Sequence, residues 1–313
     1  MTTRYPAGLA ALAISALFVA CTTDSEPHML GIQANRFATS EWSEPVNLGP
    51  IVNSSANDAN AALSPDEHAL YFVSNRTGGV GGTDIWVSRR QCLRCPWETP
   101  VNLGAPVNPD AAEGAPTLSA DGRLLFFFSG RQGGNLDIYG SHRTSTNVDG
   151  DEWGPPENLG PDVNTADAEQ GSYYVREGEG PTAVLYFNRA ADIYRVAVTN
   201  EGTPLAPAVL VPELSDPIGF DQKVAVRTDG LELLLASTRP GSFGAFDLWV
   251  STRQTPQDLW STPVHLDAPM NTPDIDSQPS LSRDGQTLIF TSSRTGGSGG
   301  TDLWMSTRTP SGN

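Results

Sequence analysis

Five carboxylates recur at one place in this chain, Asp58, Glu113, Glu169, Asp221 and Asp276, each at the same offset before a short apolar run. Acids that converge can do two kinds of chemistry. Like charges brought together demand compensation, so the group can hold a cation or a basic protein segment. Alternatively, two of them can divide acid and base work, provided that one keeps its proton and the other stays ionised. The five look equivalent in sequence, which favours the first use. They would serve the scaffold instead if each capped its own turn or paired with a neighbouring Arg.

The elements that position these acids follow from a repeat. The Asp of the phrase TDIWVS returns at Asp84, Asp137, Asp192, Asp247 and Asp302, a period of 53 to 55 residues. The unit reads W-x-x-P-V-N-L-G, an acid, P-x-L-S-x-D-G, an apolar run ending S-x-R, a Gly-rich loop and D-[IL]-[WY]. Period-2 alternation between turn signals predicts four strands per unit, in the first unit near 60–65, 69–75, 84–89 and 97–103. The Asp-Gly pairs at Asp121-Gly122 and Asp284-Gly285 mark hairpin turns, because Gly accepts the positive φ that such turns need. A repeat of this length built from short strands predicts an all-β, five-bladed β-propeller with four antiparallel strands per blade. A lone W-x-x-P-V-N-L-G strand begins at Trp42, and a D-L-W-M-S-T-R strand ends at Arg308, so the last blade is expected to be closed by the N-terminal strand. The first strand of each blade would then line the central channel, with the five acids around its mouth.

The stretch from Leu63 to Arg90, LSPDEHALYFVSNRTGGVGGTDIWVSRR, resembles the WD40-like, TolB-type propeller repeat family known as PD40. That resemblance covers nearly all of the chain after residue 41. It implies a binding platform of the cell envelope, the family also serving as an appendage to hydrolases. Five-bladed propeller glycosidases also set carboxylates from different blades around a comparable mouth, and they supply the rival reading.

Several other features invite chemistry. Cys92 and Cys95 are an even pair in an exported context, expected as a local disulfide. His28, His68, His142 and His265 are scattered and give no zinc-ligand spacing. Gly296 to Gly300 formally fits a nucleophile elbow around Ser298, but no helix and no His follow. Asn147 to Trp153, NVDGDEW, alternates oxygen ligands like a calcium loop but lacks the later bidentate Glu. Trp86, Tyr139, Tyr194, Trp249 and Trp304 share one repeat position, and Trp42, Trp97, Trp153 and Trp260 another, which marks both sets as core. The Asp of D-[IL]-[WY] and the Arg at Arg76, Arg131, Arg189, Arg239 and Arg294 flank the same Gly-rich loop. They are expected to pair and pin it.

The ends of the chain bear on location. Arg4 followed by the apolar run from Leu9 to Ala20, too short to span a bilayer, is expected to be a signal peptide. LFVAC at Leu17 to Cys21 resembles a bacterial lipoprotein box, which implies lipidation of Cys21 and, with Thr22 following, the outer membrane. The organisation read from this is a signal peptide (1–20), a tether (21–41) reaching about 25 Å, a propeller (42–309) and a tail (310–313). With 313 residues, 31 Gly, 25 Pro and a net charge of −17, the chain suits one β domain whose field opposes nucleic acid and anionic lipid. The reading that follows is a monomeric, lipid-anchored envelope protein facing the periplasm or cell surface. It is a non-catalytic binding module with no cofactor unless calcium, and its partner is an envelope protein with a basic segment. The alternative is a glycoside hydrolase-like enzyme using the channel-mouth carboxylates.

Overall fold

The computed structural model describes residues 1–2, 42–133, 135–144, 152–177 and 182–308. The leader, Cys21, His28, the tether, the calcium-like stretch through Asp151 and the tail lie outside the described residues.

Twenty strands alternate with turns, and among the described residues there is no α-helix. After β1 (Val46–Asn47), blade I holds β2 (Asp58–Leu63), β3 (Ala69–Ser74), β4 (Asp84–Arg89) and β5 (Val101–Asn102). Blade II holds β6 (Glu113–Leu118), β7 (Leu124–Ser129), β8 (Asp137–His142) and β9 (Glu157–Asn158). Blade III comprises β10 (Glu169–Val175), β11 (Ala183–Arg189), β12 (Asp192–Val198) and β13 (Val209–Leu210). Blade IV comprises β14 (Asp221–Val226), β15 (Glu232–Ser237), β16 (Asp247–Thr252) and β17 (Val264–His265). Blade V is β18 (Asp276–Leu281), β19 (Thr287–Ser292) and β20 (Asp302–Thr307), and β1 joins as its outer strand in the order β1-β20-β19-β18. Val46 faces Met305, Asn47 faces Trp304 and Trp42 bridges Arg308. The first strand of each blade packs on the first strand of the next, from β2 through β6, β10, β14 and β18 back to β2, so the ring is closed.

Each blade has a neighbour on both faces, which is why its second strand is apolar throughout rather than alternating. LLFFFS in β7 and ELLLAS in β15 are almost wholly buried. Buried residues form five clusters, one at each blade junction; Tyr71, Val87, Phe127 and Tyr139 join blades I and II. The outer strands are shorter than the alternation suggests. Only Val101 and Asn102 pair with β4, because Pro100 has no N–H to give a ladder.

Every inner strand carries a β-bulge, visible as a register shift between Ala59 and Ala62, Gly114 and Thr117, Gln170 and Tyr173, Gln222 and Val224, and Ser277 and Ser280. The bulged residues Asn60, Ala115, Gly171, Lys223 and Gln278 all have positive φ, from 23° to 62°. Four of them are not glycine, a backbone state that costs roughly 1–3 kcal/mol each and persists only where surroundings impose it. The bulges turn side chains toward neighbouring blades. Ser172 Oγ donates to Ala115 O, and Asn60 N donates to Gln278 Oε1. Lys223 of blade IV, 1% exposed, reaches Ala61 O of blade I at 3.2 Å, so its side chain crosses the axis.

Candidate active site

Each acid of the repeat is the first residue of its inner strand, two residues earlier than alternation places the strand start in blade I. The cross-strand partner is Ser74, Ser129, Ser237 or Ser292, and in blade III Arg189 itself. All five carboxylates are 0% exposed. The acids do stand once per blade, but inside the wall rather than as an open ring of charge.

Four of them are well supplied with donors. Arg76 Nη2 lies 2.5 Å from Asp58, Arg189 Nε 2.8 Å from Glu169, Arg239 Nη2 2.6 Å from Asp221 and Arg294 Nη2 2.6 Å from Asp276. The incoming turn adds backbone N–H donors from Ser54, Thr165, Asp216 and Thr272. The hydroxyls of Ser54, Thr165 and Thr272 donate as well.

Glu113 is the exception. Ser129 Oγ donates to its Oε1 at 2.6 Å, while Arg131 Nη2 stands 3.8 Å away and donates to Val107 O. Oε2 is buried with no hydrogen-bond partner. The cause is local: Pro109 occupies the place of Ser54, Thr165 and Thr272, and it has neither an N–H nor a hydroxyl to offer. Burial, with Asp84 adding repulsion, pushes the Glu113 carboxyl up to about 7, against the partial relief that Ser129 and Arg131 provide.

The Arg of the repeat therefore pairs with the inner-strand acid and not, as expected from its position, with the Asp of D-[IL]-[WY]. Geometry explains the exchange. The Arg folds back over its own blade, with its guanidinium 4.9 Å from Phe72 and 5.3 Å from Trp86 in the case of Arg76, which points it at the inner strand. The other Asp is satisfied by the Gly-rich loop instead. Asp84 accepts from Val80 N and Gly81 N, Asp247 from Phe243 N and Gly244 N, and Asp302 from Ser298 N and Gly299 N. A Cβ on Gly81 would sit 1.6 Å from Ala111 O, so only glycine lets this loop press against the next blade. Asn102, Asn158, His265 and Asn47 complete the cradles of Asp84, Asp137, Asp247 and Asp302. Asp192 begins β12 opposite Arg189.

The remaining sequence features take structural places. Ser298 lends its backbone to the Asp302 cradle. Cys92 and Cys95 are joined, with Cα atoms 4.9 Å apart. Trp86, Tyr139, Trp249, Trp304, Trp153 and Trp260 are buried, and Tyr194, Trp42 and Trp97 half-buried. A second set of arginines, Arg90, Arg143, Arg253 and Arg308, lies 4.0 to 4.6 Å from Trp97, Trp153, Trp260 and Trp42. Sequence reasoning missed three things here. The second Arg set was legible in the S-x-R that closes the third strand of every blade but the third. The singularity of Glu113 was legible in Pro109. Lys223 was legible as a cation where other blades carry Asn60, Ala115, Gly171 and Gln278. Burial pushes the Lys223 amine down to about 7.

No family model and no curated protein matches the chain. Solved structures do superpose on it. A thermostable family-43 glycoside hydrolase is 13% identical with a TM-score of 0.58, covering 86% of this chain and 99% of its own. An endo-arabinase from Bacteroides thetaiotaomicron is 13% identical with a TM-score of 0.58, covering 87% and 99%. The α-L-arabinofuranosidase PaAbf62A from Podospora anserina is 14% identical with a TM-score of 0.54, covering 87% and 95%. At these identities the likeness establishes the shared fold.

These findings correct the expectation of a non-catalytic module that binds a cation or basic segment on an open acidic mouth. The carboxylates are covered and four already have their cations from Arg, and glycoside hydrolases are among the solved structures that share the fold. The acids are also unequal, since Glu113 lacks the close Arg that each of the other four has.

Proposed function

We propose that the chain is a carbohydrate-active enzyme of the glycoside hydrolase kind, with Glu113 as the group that holds and delivers a proton. The observation that carries this reading is the one carboxyl of the five that has no Arg within hydrogen-bond distance and whose buried Oε2 meets no donor. Cleaving a glycosidic bond needs one carboxyl that protonates the leaving oxygen and another that is ionised, as nucleophile or as base toward water. Glu113, with its carboxyl pushed up to about 7, suits the first role, and the acids held by Arg are placed for the second. Asp58 and Glu169, in the flanking blades, are the candidates for the second role. The arabinan-directed enzymes with this fold make aryl arabinofuranosides the first substrates to try.

The test is hydrolysis of 4-nitrophenyl arabinofuranosides, xylosides and glucosides by the purified chain. Chromophore release is expected to fall as pH rises through about 7 and to be lost in Glu113→Gln. A panel left wholly intact, or a Glu113→Gln variant with undiminished rate, overturns the proposal.

The repeat phrase and leader support a finer placement in the same proposal: a PD40-type propeller, exported and held to the outer membrane by lipid on Cys21. Labelled fatty acid incorporated by the chain and not by Cys21→Ala is the expected result.

A further inference from the structure

The end of the ring away from Glu113, where the first and second strands of each blade turn, holds a cavity of about 360 Å³. Its wall is an apolar pentagon, one residue per blade: Leu63, Leu118, Val175, Val226 and Leu281. These are the last or near-last residues of the five inner strands, so the repeat itself builds the pocket. The volume lies at the lower end of the range for small-molecule sites.

The rim breaks the repeat. Blades I, II and V place Ser64, Ser119 and Ser282 after the apolar residue, and each hydroxyl donates to the Asp two residues on, locking the turn. Blade III has Arg176 at that position. At the next position, where blades I and II have Pro65 and Ala120, blade V has Arg283. Both arginines line the cavity, both are exposed, and they stand on either side of Thr228 of blade IV. Arg176 donates to the neutral Asn200 Oδ1 at 2.6 Å, and neither arginine has an ion pair among the described residues. Blade IV also has an Arg, Arg227, at the Arg176 position, but it is held by Asp229 and Glu232, while blades I and II form the same turn with no Arg at either position.

No carboxylate lines the cavity. The acids on the surrounding turns are otherwise engaged. Asp66, Asp121 and Asp284 take the Ser hydroxyls, Asp229 takes Arg227, Glu177 takes Arg253 and Tyr186, and Glu67 faces Arg90 and accepts from the backbone N–H of Arg283. Two guanidiniums without an ion pair at one opening are a notable placement on a chain of net charge −17. A guanidinium fork suits a carboxylate head, and the pentagon below suits an aliphatic body.

We propose that this cavity is a binding site for a single-chain amphiphilic carboxylate, its tail among the five apolar residues and its head between Arg176 and Arg283. The site is separate from Glu113 and stands whether or not the chain cleaves glycosides.

The experiment is calorimetric titration of the full chain with dodecanoate below its micelle concentration, and with dodecanol as the uncharged probe. Dodecanoate is expected to bind at least about tenfold more tightly than dodecanol. It is expected to weaken by about tenfold or more in Arg176→Gln/Arg283→Gln and in Ala120→Trp, which fills the mouth from an exposed position. Raising salt from about 50 to about 500 mM weakens it further in the unaltered chain. Circular dichroism confirms that both variants fold. Absence of dodecanoate binding, equal affinity for dodecanol, or affinity unchanged in Ala120→Trp overturns the proposal.

Discussion

Glu113 and Glu169 begin equivalent strands in adjacent blades, are equally buried and have side chains of the same length, yet only one of them is supplied with donors. Glu169 meets Arg189 at 2.8 Å and the backbone and hydroxyl of Thr165. Glu113 has Ser129 and a distant Arg131, because Pro109 stands where the other turn has Thr165. A propeller repeats its backbone, not its hydrogen bonds. One turn residue separates a carboxylate with a full set of donors from a carboxyl whose Oε2 has none.

The largest effect expected from this contrast is on the paired side. Glu169→Gln leaves Arg189 over the blade without its counter-charge and should cost about 3–5 kcal/mol in urea unfolding at pH 7. An unchanged midpoint would show that the pair is not what holds the blade.

Lys223 mirrors Glu113 with the opposite sign. Its folded-state pKa is depressed from 10.5 to about 7, so the cost of its burial is fully present below pH 7. That cost is relieved as pH rises to about 10.5, where the unfolded chain also loses the proton. Lys223→Met should therefore gain about 4 kcal/mol at pH 6, and the gain should vanish above about pH 10.5.

Glu113→Gln tests the unpaired side. Its folded-state pKa is raised above the unfolded value of 4.5, so native stability is highest below about 4.5 and declines until about 7, where the folded chain releases the proton. The variant should be about 3 kcal/mol more stable than the unaltered chain at pH 8 and equal to it at pH 4. Paired urea titrations at the two pH values decide it.

The smallest effect is the most direct. Pro109→Thr restores the N–H and hydroxyl that the other turns supply. It should lower the Glu113 titration seen by carboxyl carbon NMR and recover about 1–2 kcal/mol at pH 8. If the titration stays near 7, the proline is not its cause.

Much of the ring was legible because propeller blades are made by local pattern. Apolar runs set the second strands, Asp121-Gly122 and Asp284-Gly285 set the hairpins, and the fragments at Trp42 and Arg308 set the closure. The recurring acids were legible as positions but not as a site. Alternation says which face a residue takes, and it is silent on whether a buried carboxyl meets an Arg at 2.6 Å or at 3.8 Å. The Arg pairing was misassigned for a similar reason. Nearness along the chain put Arg76 beside Asp84, whereas stacking on Phe72 and Trp86 aimed it at Asp58.

The amino-acid order alone settles how many blades there are, where each of the three inner strands of the first blade begins to within a residue or two, and which side chains recur. These depend on short-range propensity and on a period that tolerates substitution. Tertiary packing decides which of the recurring groups keep their charge, because desolvation and donor supply depend on atoms brought in from the preceding turn and the neighbouring blade. The proton on Glu113, the amine crossing the axis at Lys223 and the arginine-rimmed cavity all arise at that level.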